Sequence, residues 1–299
     1  LIINRTYKTG TYFAKKWVGK IMNYNLSICI PTKRSIEASR NSISSAIGFC
    51  DSTSSELIVS DNSSDKSKSE MWKKIPLPFM KYMEDHKNEF SNWVDNWLNG
   101  INNCSGKFIG IVSDDDVIVD LDKSAVNYNE LLKPNISGIK PVISLWNAET
   151  GIYKINNFNI DANTALERVQ QYNVKASGNN TTYFSFFKKE VIKDIFNIIK
   201  YHPTKGGYLD WPIVKACVSS GKILIDSSKL LIYKNNNWFG DQQYIAKQVR
   251  DLYVKCGLGE EGVFYSSIMN ALDSFILIMR KNSQIALDDK LDAAEFVLN

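Results

Sequence analysis

Histidine is nearly absent from this chain of 299 residues: His86 and His202 are the only two. A multi-histidine metal centre or a Ser-His-Asp hydrolase triad is therefore poorly supplied. Cysteine is sparse too. Cys29, Cys50, Cys104, Cys217 and Cys256 are odd in number, widely separated and without a C-x-x-C pair. That argues against a zinc site or a disulfide scaffold, and for reduced thiols in a cytosolic setting. No apolar run reaches about 18 residues, so no membrane-spanning helix is expected. Nor does charge of one sign dominate. The balance of 36 Lys and Arg against 32 Asp and Glu leaves +4. Such an excess is too small to imply nucleic-acid binding but tolerates an anionic substrate or an anionic membrane face. Internal repeats and low-complexity linkers are missing as well.

What is present centres on one stretch, Gly106-Lys107-Phe108-Ile109-Gly110-Ile111-Val112-Ser113-Asp114-Asp115-Asp116. The run from Phe108 to Val112 reads as a strand buried on both faces, and it stops at three adjacent carboxylates. Close carboxylates repel by roughly a kcal/mol or more per pair, so a cation is expected to compensate them. A divalent metal carrying a phosphate ligand is the natural candidate. Asp114 and Asp116, one residue apart, can face the same side and share such an ion. The alternative is a solvated turn or a helix N-cap.

Upstream, residues 1–24 carry Arg5, Lys8, Lys15, Lys16 and Lys20 among aromatic and aliphatic residues. The segment reads either as an interfacial helix on an anionic leaflet or as a helix packed on the domain. Leu26–Ile30 is a first buried strand ending at Pro31-Thr32-Lys33-Arg34. Helical spacing follows from Ile36 to Phe49, and Glu56–Ser60 is a second strand ending at Asp61. Strand, helix and strand with polar loops at the carboxyl ends is the unit of a parallel sheet. A third strand around Met80–Met83 and a helix bearing Trp93, Val94, Trp97, Leu98 and Ile101 lead to the central strand. Thr32, Asp61 and Asp114–Asp116 therefore meet where open α/β sheets bind ligands.

Further on, strands are expected at Pro141–Trp146, Tyr183–Phe187, Lys222–Asp226 and Lys229–Tyr233, and helices at Thr164–Tyr172, Lys189–Lys200 and through Cys217. Asp210 precedes Trp211-Pro212 and by itself reads equally as a helix N-cap. Asp61-Asn62-Ser63-Ser64 likewise suits an Asx turn. From Asp241 the pattern is helical to the end, which divides the chain into residues 1–24, 25–240 and a C-terminal helical region, 241–299.

In order along residues 25 to 238, this pattern resembles the family 2 glycosyltransferases. The motifs are Ser27–Thr32, Glu56–Asp65, Asn96–Ile101, Ser105–Ile109, Ser113–Asp116, Tyr208–Trp211 and Gly221–Asp226 followed by Leu231–Lys234. The resemblance implies the GT-A fold, an α/β architecture with a mostly parallel central sheet flanked by helices. It implies an inverting transferase that moves a sugar from a nucleotide-sugar, a UDP-sugar by family frequency, to a hydroxyl of a glycan or lipid-linked acceptor. Bacterial polysaccharide assembly on the cytoplasmic side of a membrane is the family's frequent setting. By the same resemblance Pro31, Thr32, Arg34, Asp61, Asn96, Asp114 and Asp115 would hold the donor. Asp114 and Asp116 would bind Mn2+ or Mg2+, and Asp210 would be the general base. Trp211 offers an aromatic face for an acceptor sugar, and Asn179 lies in a polar loop, Gly178 to Thr181, that suits acceptor contact or a plain turn.

Two departures stand out. Many relatives have an acidic residue where this chain has Leu209, and a Tyr-Arg-x-His where it reads Tyr233-Lys234-Asn235-Asn236-Asn237. In the absence of that histidine, Asn236 or Asn237 is left to contact the diphosphate. His202 is read as a surface or packing residue. Competing readings are a nucleotidyltransferase, which usually carries glycines in the loop after the first strand, and a non-catalytic sugar-binding or nucleotide-binding protein with a degenerate site. The N-terminal segment and the amphipathic tail suit membrane contact, packing or oligomerisation equally.

Overall fold

A computed structural model describes residues 23–85, 92–123, 128, 132–176, 178–235 and 238–299. The basic N-terminal segment, residues 1–22, lies outside them, as do His86, Asn236 and Asn237.

The first half is three β-α-β crossovers. Strand β1 (Leu26–Thr32) is wholly buried and leads into helix α1 (Ile36–Thr53), then β2 (Glu56–Asp61), α2 (Lys66–Lys73) and β3 (Met80–Glu84). Helix α3 (Trp93–Asn103) returns the chain to β4 (Phe108–Ile111) on the other side of β1. All four strands run parallel in the order β3-β2-β1-β4. Right-handed crossovers then put α1 and α2 on one face and α3 on the other. The order reverses between β1 and β4, so a crevice opens at their carboxyl ends, where Thr32 and Ser113 to Asp116 sit.

The sheet continues as β8-β6-β9-β5, with β7 (Gly151–Asn156) pairing β6. Here β5 (Val117–Asp120), β6 (Ile136–Asn147) and β8 (Phe186–Lys188) precede the long β9 (Lys222–Lys234). Strands β6 and β9 are parallel, whereas β5 runs antiparallel to β9. That hairpin-like pairing matters for the site: Val117 lies opposite Ile232, so Asp116 reaches the end of β9. A buried ion pair, Lys229 Nζ to Asp120 Oδ1 at 2.7 Å, clamps the two strands.

Two expected strands differ in the structure. Lys222–Asp226 and Lys229–Tyr233 are one strand with a bulge, because Asp226 faces Pro141 and Leu230 faces the next residue, Val142. Pro141 has no N–H to give the ladder, and the extra residues loop out there. Tyr183–Phe187 is only a strand at its end. Residues Thr181–Phe184 form a 3-10 turn, since the Ser185 N–H and hydroxyl both donate to the Thr182 carbonyl and close the turn locally.

Helices α4 (Ala165–Ala176), α5 (Lys189–Ile199) and α6 (Asp210–Ser220) cover this half. The C-terminal region forms α7 (Gln242–Lys255), α8 (Ser266–Ile278) and α9 (Leu287–Leu298). Helix α8 packs on α6 and α9 packs on α4. Leu277, Ile278, Ala293 and Ala294 join the main core, and Arg280 is buried with its Nε 3.0 Å from Asp194. His202 ties the turn before α6 to α8 through Asp273 at 3.1 Å, a packing role. Four of the five cysteines are buried and all five are free. Among the described residues no helix is long and apolar enough to cross a membrane.

Glycine requirements supply a test of the packing. A Cβ on Gly106 would stand 2.7 Å from the backbone of Leu26 and Ser27, whereas one on Gly48, exposed in α1, meets nothing within 4 Å. Gly106→Ala is expected to destabilise the protein by about 1–3 kcal/mol. Gly48→Ala should stabilise it by about 0.5–1 kcal/mol through helix propensity. Urea unfolding of both variants reads the contrast.

Candidate active site

The crevice is organised by a lysine that sequence patterning did not single out. Asp65 caps α2 by accepting from the backbone of Ser67 and Lys68, and its other oxygen accepts from Ile36 N at the start of α1. This cap turns Lys68 inward, where it is fully buried. Its Nζ donates to Thr32 Oγ1 at 2.7 Å, to the Arg34 carbonyl at 2.9 Å and to Asp61 Oδ1 at 3.1 Å. Burial lowers its pKa, and the Asp61 carboxylate opposes that shift. One ammonium thus ties the ends of β1 and β2 to the loop after β1.

Asp61, 2% exposed, also accepts from Ser63 N at 2.8 Å and from the Tyr82 hydroxyl at the end of β3. It therefore makes the Asx-type bond within its loop and belongs to the Lys68 cluster as well. Asn96, on α3, donates to the Thr32 carbonyl at 3.4 Å and to Asn62 Oδ1 at 3.2 Å, and accepts from Ser60 Oγ at 2.7 Å. Pro31 stays inside β1, which runs on to Thr32.

The three carboxylates have different surroundings. Asp114 Oδ2 accepts from Thr32 Oγ1 at 2.7 Å, and its Oδ1 lies 3.0 Å from Arg34 Nε. Asp115 meets the same guanidinium at 2.9 Å. Arg34 is thus a cation that compensates two of the three, and its side chain remains 45% exposed on the crevice. Asp116 turns toward β9 instead. Its Oδ1 accepts from Lys234 N at 2.9 Å, while its buried Oδ2 has no hydrogen-bond partner among the described residues. Desolvation pushes its pKa well up and that of Asp115 up as well, Arg34 opposing the second shift. Among the described residues no three His, Cys, Asp or Glu side chains gather to hold a metal ion. The fit of a divalent ion rests on Asp116 Oδ2, an orphaned hard oxygen of the kind Mg2+ and Mn2+ take.

Asp210 opens α6 after a 3-10 turn, Gly207–Leu209. It is the first residue of the helix, not its N-cap, and Leu209 before it is buried in the core. Its Oδ2 accepts from Asn180 Nδ2 at 3.1 Å, and Asn180 Oδ1 accepts from the Tyr172 hydroxyl at 2.7 Å. Asp210 as a residue is partly buried, and desolvation pushes its carboxyl pKa up to about 7, with the Asn180 bond pulling the other way. Tyr233, near the end of β9, has its pKa raised by burial first and then by the charges of Asp116 and Asp210. Trp211 is half-buried with its ring 5.7 Å from that of Tyr172. Asn179 uses its backbone to close the turn, and it is its neighbour Asn180 that meets Asp210. The signal for Asn180 in the sequence was only its place in a polar loop; Lys68 and Tyr82 carried none beyond ordinary helix and strand positions.

A sheet of this order, with carboxylates at its switch point, is an α/β architecture whose crevice lies at the carboxyl ends of β1 and β4. The model of "Glycosyl transferase family 2" matches residues 27–196, and the chain belongs to that family of glycosyltransferases. Its fold is accordingly GT-A. Among solved structures, S. aureus TarS 1-349 is similar at 15% identity and TM-score 0.49, over 91% of this chain and 82% of that one. The same fragment in complex with UDP-GlcNAc gives 13% and 0.45, over 90% and 78%. GalNAc-T7 with UDP, GalNAc and Mn2+ gives 12% and 0.44, over 91% of this chain and 55% of that one. The family match, and not these superpositions, carries the assignment. Comparison with curated proteins returns no match.

The two cations predict opposite behaviour. Lys68→Met leaves Asp61 buried without its ammonium and should cost about 3–5 kcal/mol of stability. Arg34→Ala, at an exposed pair, should cost less than about 1 kcal/mol. Chemical denaturation of each variant measures both.

Proposed function

We propose that this glycosyltransferase moves a sugar from a UDP-sugar to a hydroxyl of a glycan or lipid-linked acceptor with inversion, using Asp210 as general base. The observation that carries the reading is the Asp210 carboxylate itself: aimed by Asn180, desolvated, and raised to about 7. A base whose pKa lies near the working pH combines a large ionised fraction with real proton affinity. An acceptor hydroxyl hydrogen-bonded to Asp210 gives up its proton as its oxygen attacks the sugar's anomeric carbon. The nucleoside diphosphate leaves from the opposite face, which inverts that carbon.

The cluster of Thr32, Asp61, Asn96 and Lys68 is a pre-formed floor for the nucleoside, and Pro31 shapes the edge of that loop. Arg34, half-exposed and already facing Asp114 and Asp115, is placed to meet the diphosphate's negative charge. Asp116, with Asp114 beside it, would hold Mn2+ or Mg2+, which when bound supplies Lewis-acid stabilisation of the departing diphosphate. Trp211, next to the base, offers its half-exposed ring to the acceptor sugar, with Asn179 at the rim of the neighbouring loop. We place the reaction in bacterial surface polysaccharide assembly, at the cytoplasmic face of a membrane. The exposed stripe of Phe264, Ile268, Leu272 and Ile276 is compatible with peripheral contact there. A nucleotidyltransferase reading finds no support, since the loop after β1 has no glycine and that chemistry has no task for Asp210.

Donor class is tested by thermal shift with UDP, GDP, CDP and dTDP, with and without Mn2+. At about a hundred times its dissociation constant the right nucleotide should add roughly 2.7 kcal/mol of stability. Asp116→Ala should abolish the Mn2+-dependent part. Folded protein that responds to none of the four would overturn the donor reading.

Asp210 gives a second test with the sign fixed by its pKa. Only the ionised carboxylate accepts a proton, so kcat/KM should rise as pH passes through about 7, and Asp210→Asn should lose roughly 10²–10⁴-fold. Stability runs the other way. With a folded pKa above the unfolded value, the contribution is full below about pH 4 and is lost as pH rises through about 7. Asp210→Asn should therefore melt several degrees higher than the unsubstituted protein at pH 8 and show no such gain at pH 4.

A further inference from the structure

The loop that presents Asn180 is fastened from beneath by a buried lysine that the reaction does not use. Lys140, in β6, is fully buried; its Nζ lies 3.6 Å from the centroid of the Phe158 ring and 3.3 Å from Thr181 Oγ1. No carboxylate pairs with it among the described residues. The charged group that acts on it is another cation, Lys175, whose Nζ lies 6.0 Å from the same ring. Burial first, then Lys175, brings the Lys140 pKa down to about 7. An amine without a counter-ion is a costly thing to bury. A methionine of similar length would fill the space at no such cost, so packing alone does not account for it.

Its hydrogen-bond acceptor among the described residues accounts for it better. The Thr181 hydroxyl is fully buried and also accepts from Asn156 Nδ2, at 2.9 Å, from the end of β7. Two donors from two strands thus converge on one oxygen and hold the start of the 3-10 turn in place. The residue immediately before is Asn180, whose amide must present its oxygen to Tyr172 and its nitrogen to Asp210. Tyr172 aims the side chain, whereas Lys140 and Asn156 anchor the backbone from which it springs.

We propose that Lys140 is a positioning residue for the sugar transfer: with Asn156 it fixes the Thr181 hydroxyl and so holds the Asn180 amide against the Asp210 carboxylate. The proposal rests on Asp210 being the base, and it specifies how that base is tuned. The Asn180 bond favours the charged carboxylate, so loosening it raises the pKa of Asp210.

The test needs no knowledge of donor or acceptor. The difference in melting temperature between Asp210→Asn and its parent, followed against pH, inflects where Asp210 titrates, near 7. The other titratable groups facing Asp210 are Tyr172, Tyr183, Tyr233 and Tyr253, all with raised pKa, and they stay neutral through that range. The titration of Lys140 itself occurs in both members of the pair and cancels. In Lys140→Met and in Thr181→Val backgrounds the inflection should move up by at least about half a pH unit, a threefold change in proton affinity. Thr181→Ser, which keeps the hydroxyl, should leave it in place. An inflection unmoved in folded Lys140→Met and Thr181→Val protein would overturn the proposal. Full transfer activity in Asp210→Asn would instead overturn the base assignment, whatever the inflection does. With an assay in hand, Lys140→Met should lower kcat at pH 7 with donor KM unchanged.

Discussion

Lys68 holds its ammonium where water does not reach, and a buried charge of that kind persists only if every donor finds an acceptor. It finds three: the Thr32 hydroxyl, the Arg34 carbonyl and the Asp61 carboxylate. Those acceptors are the last residues of β1 and β2 and the loop after β1, so the ammonium braces from inside the crevice end of two strands that already pair side by side. The Thr32 hydroxyl passes the constraint on by donating to Asp114, and Asp114 in turn receives Arg34. A floor built from one buried cation thus ends in one half-exposed cation, Arg34, held on a fixed support. Preorganisation of this sort spares the binding step the ordering of several long side chains.

Burial also divides the labour among the acidic residues. Asp114 and Asp115 face an arginine, Asp116 is desolvated with one oxygen orphaned, and Asp210 is desolvated and met by an amide. The β5–β9 pairing is what separates Asp116 from its neighbours, because it carries that side chain to the backbone of Lys234. Next to Lys234 the same strand carries Tyr233, whose ring packs 5.1 Å from that of Phe184. Desolvation thus raises the pKa of Asp115, Asp116 and Asp210, and each meets different partners: an arginine, a backbone N–H and an asparagine amide.

The parallel half of the sheet was legible because its code is local. Val59 and Ile58 flanked by a helix of the right length, or Ile109 running into Asp114, leave few other structures open. The glycosyltransferase motifs were legible for the same reason, since each is a short local run at a strand, a helix or a helix start. Less was legible where tertiary pairing overrides local pattern. Pro141 breaks a ladder only in relation to β9, and Tyr183-Phe184 is as apolar and aromatic as a strand while its hydroxyl-rich neighbours close a turn. Asn180 looked no different from Asn179 in a run of polar residues. Lys68 looked like any lysine on an amphipathic helix, and only the cap at Asp65 turns it inward.

The sequence by itself determined that this is an α/β chain with carboxylates at strand ends and the ordered motifs of a sugar-transferring family. Those features follow from periodicity and spacing, which survive any detail of packing. The tertiary structure decided which carboxylate meets which cation, which asparagine meets Asp210, and that a lysine with no carboxylate beside it among the described residues sits beneath that asparagine's loop. Each of those outcomes depends on desolvation and on distances between residues far apart in the chain, and neither quantity exists until the sheet has closed around them.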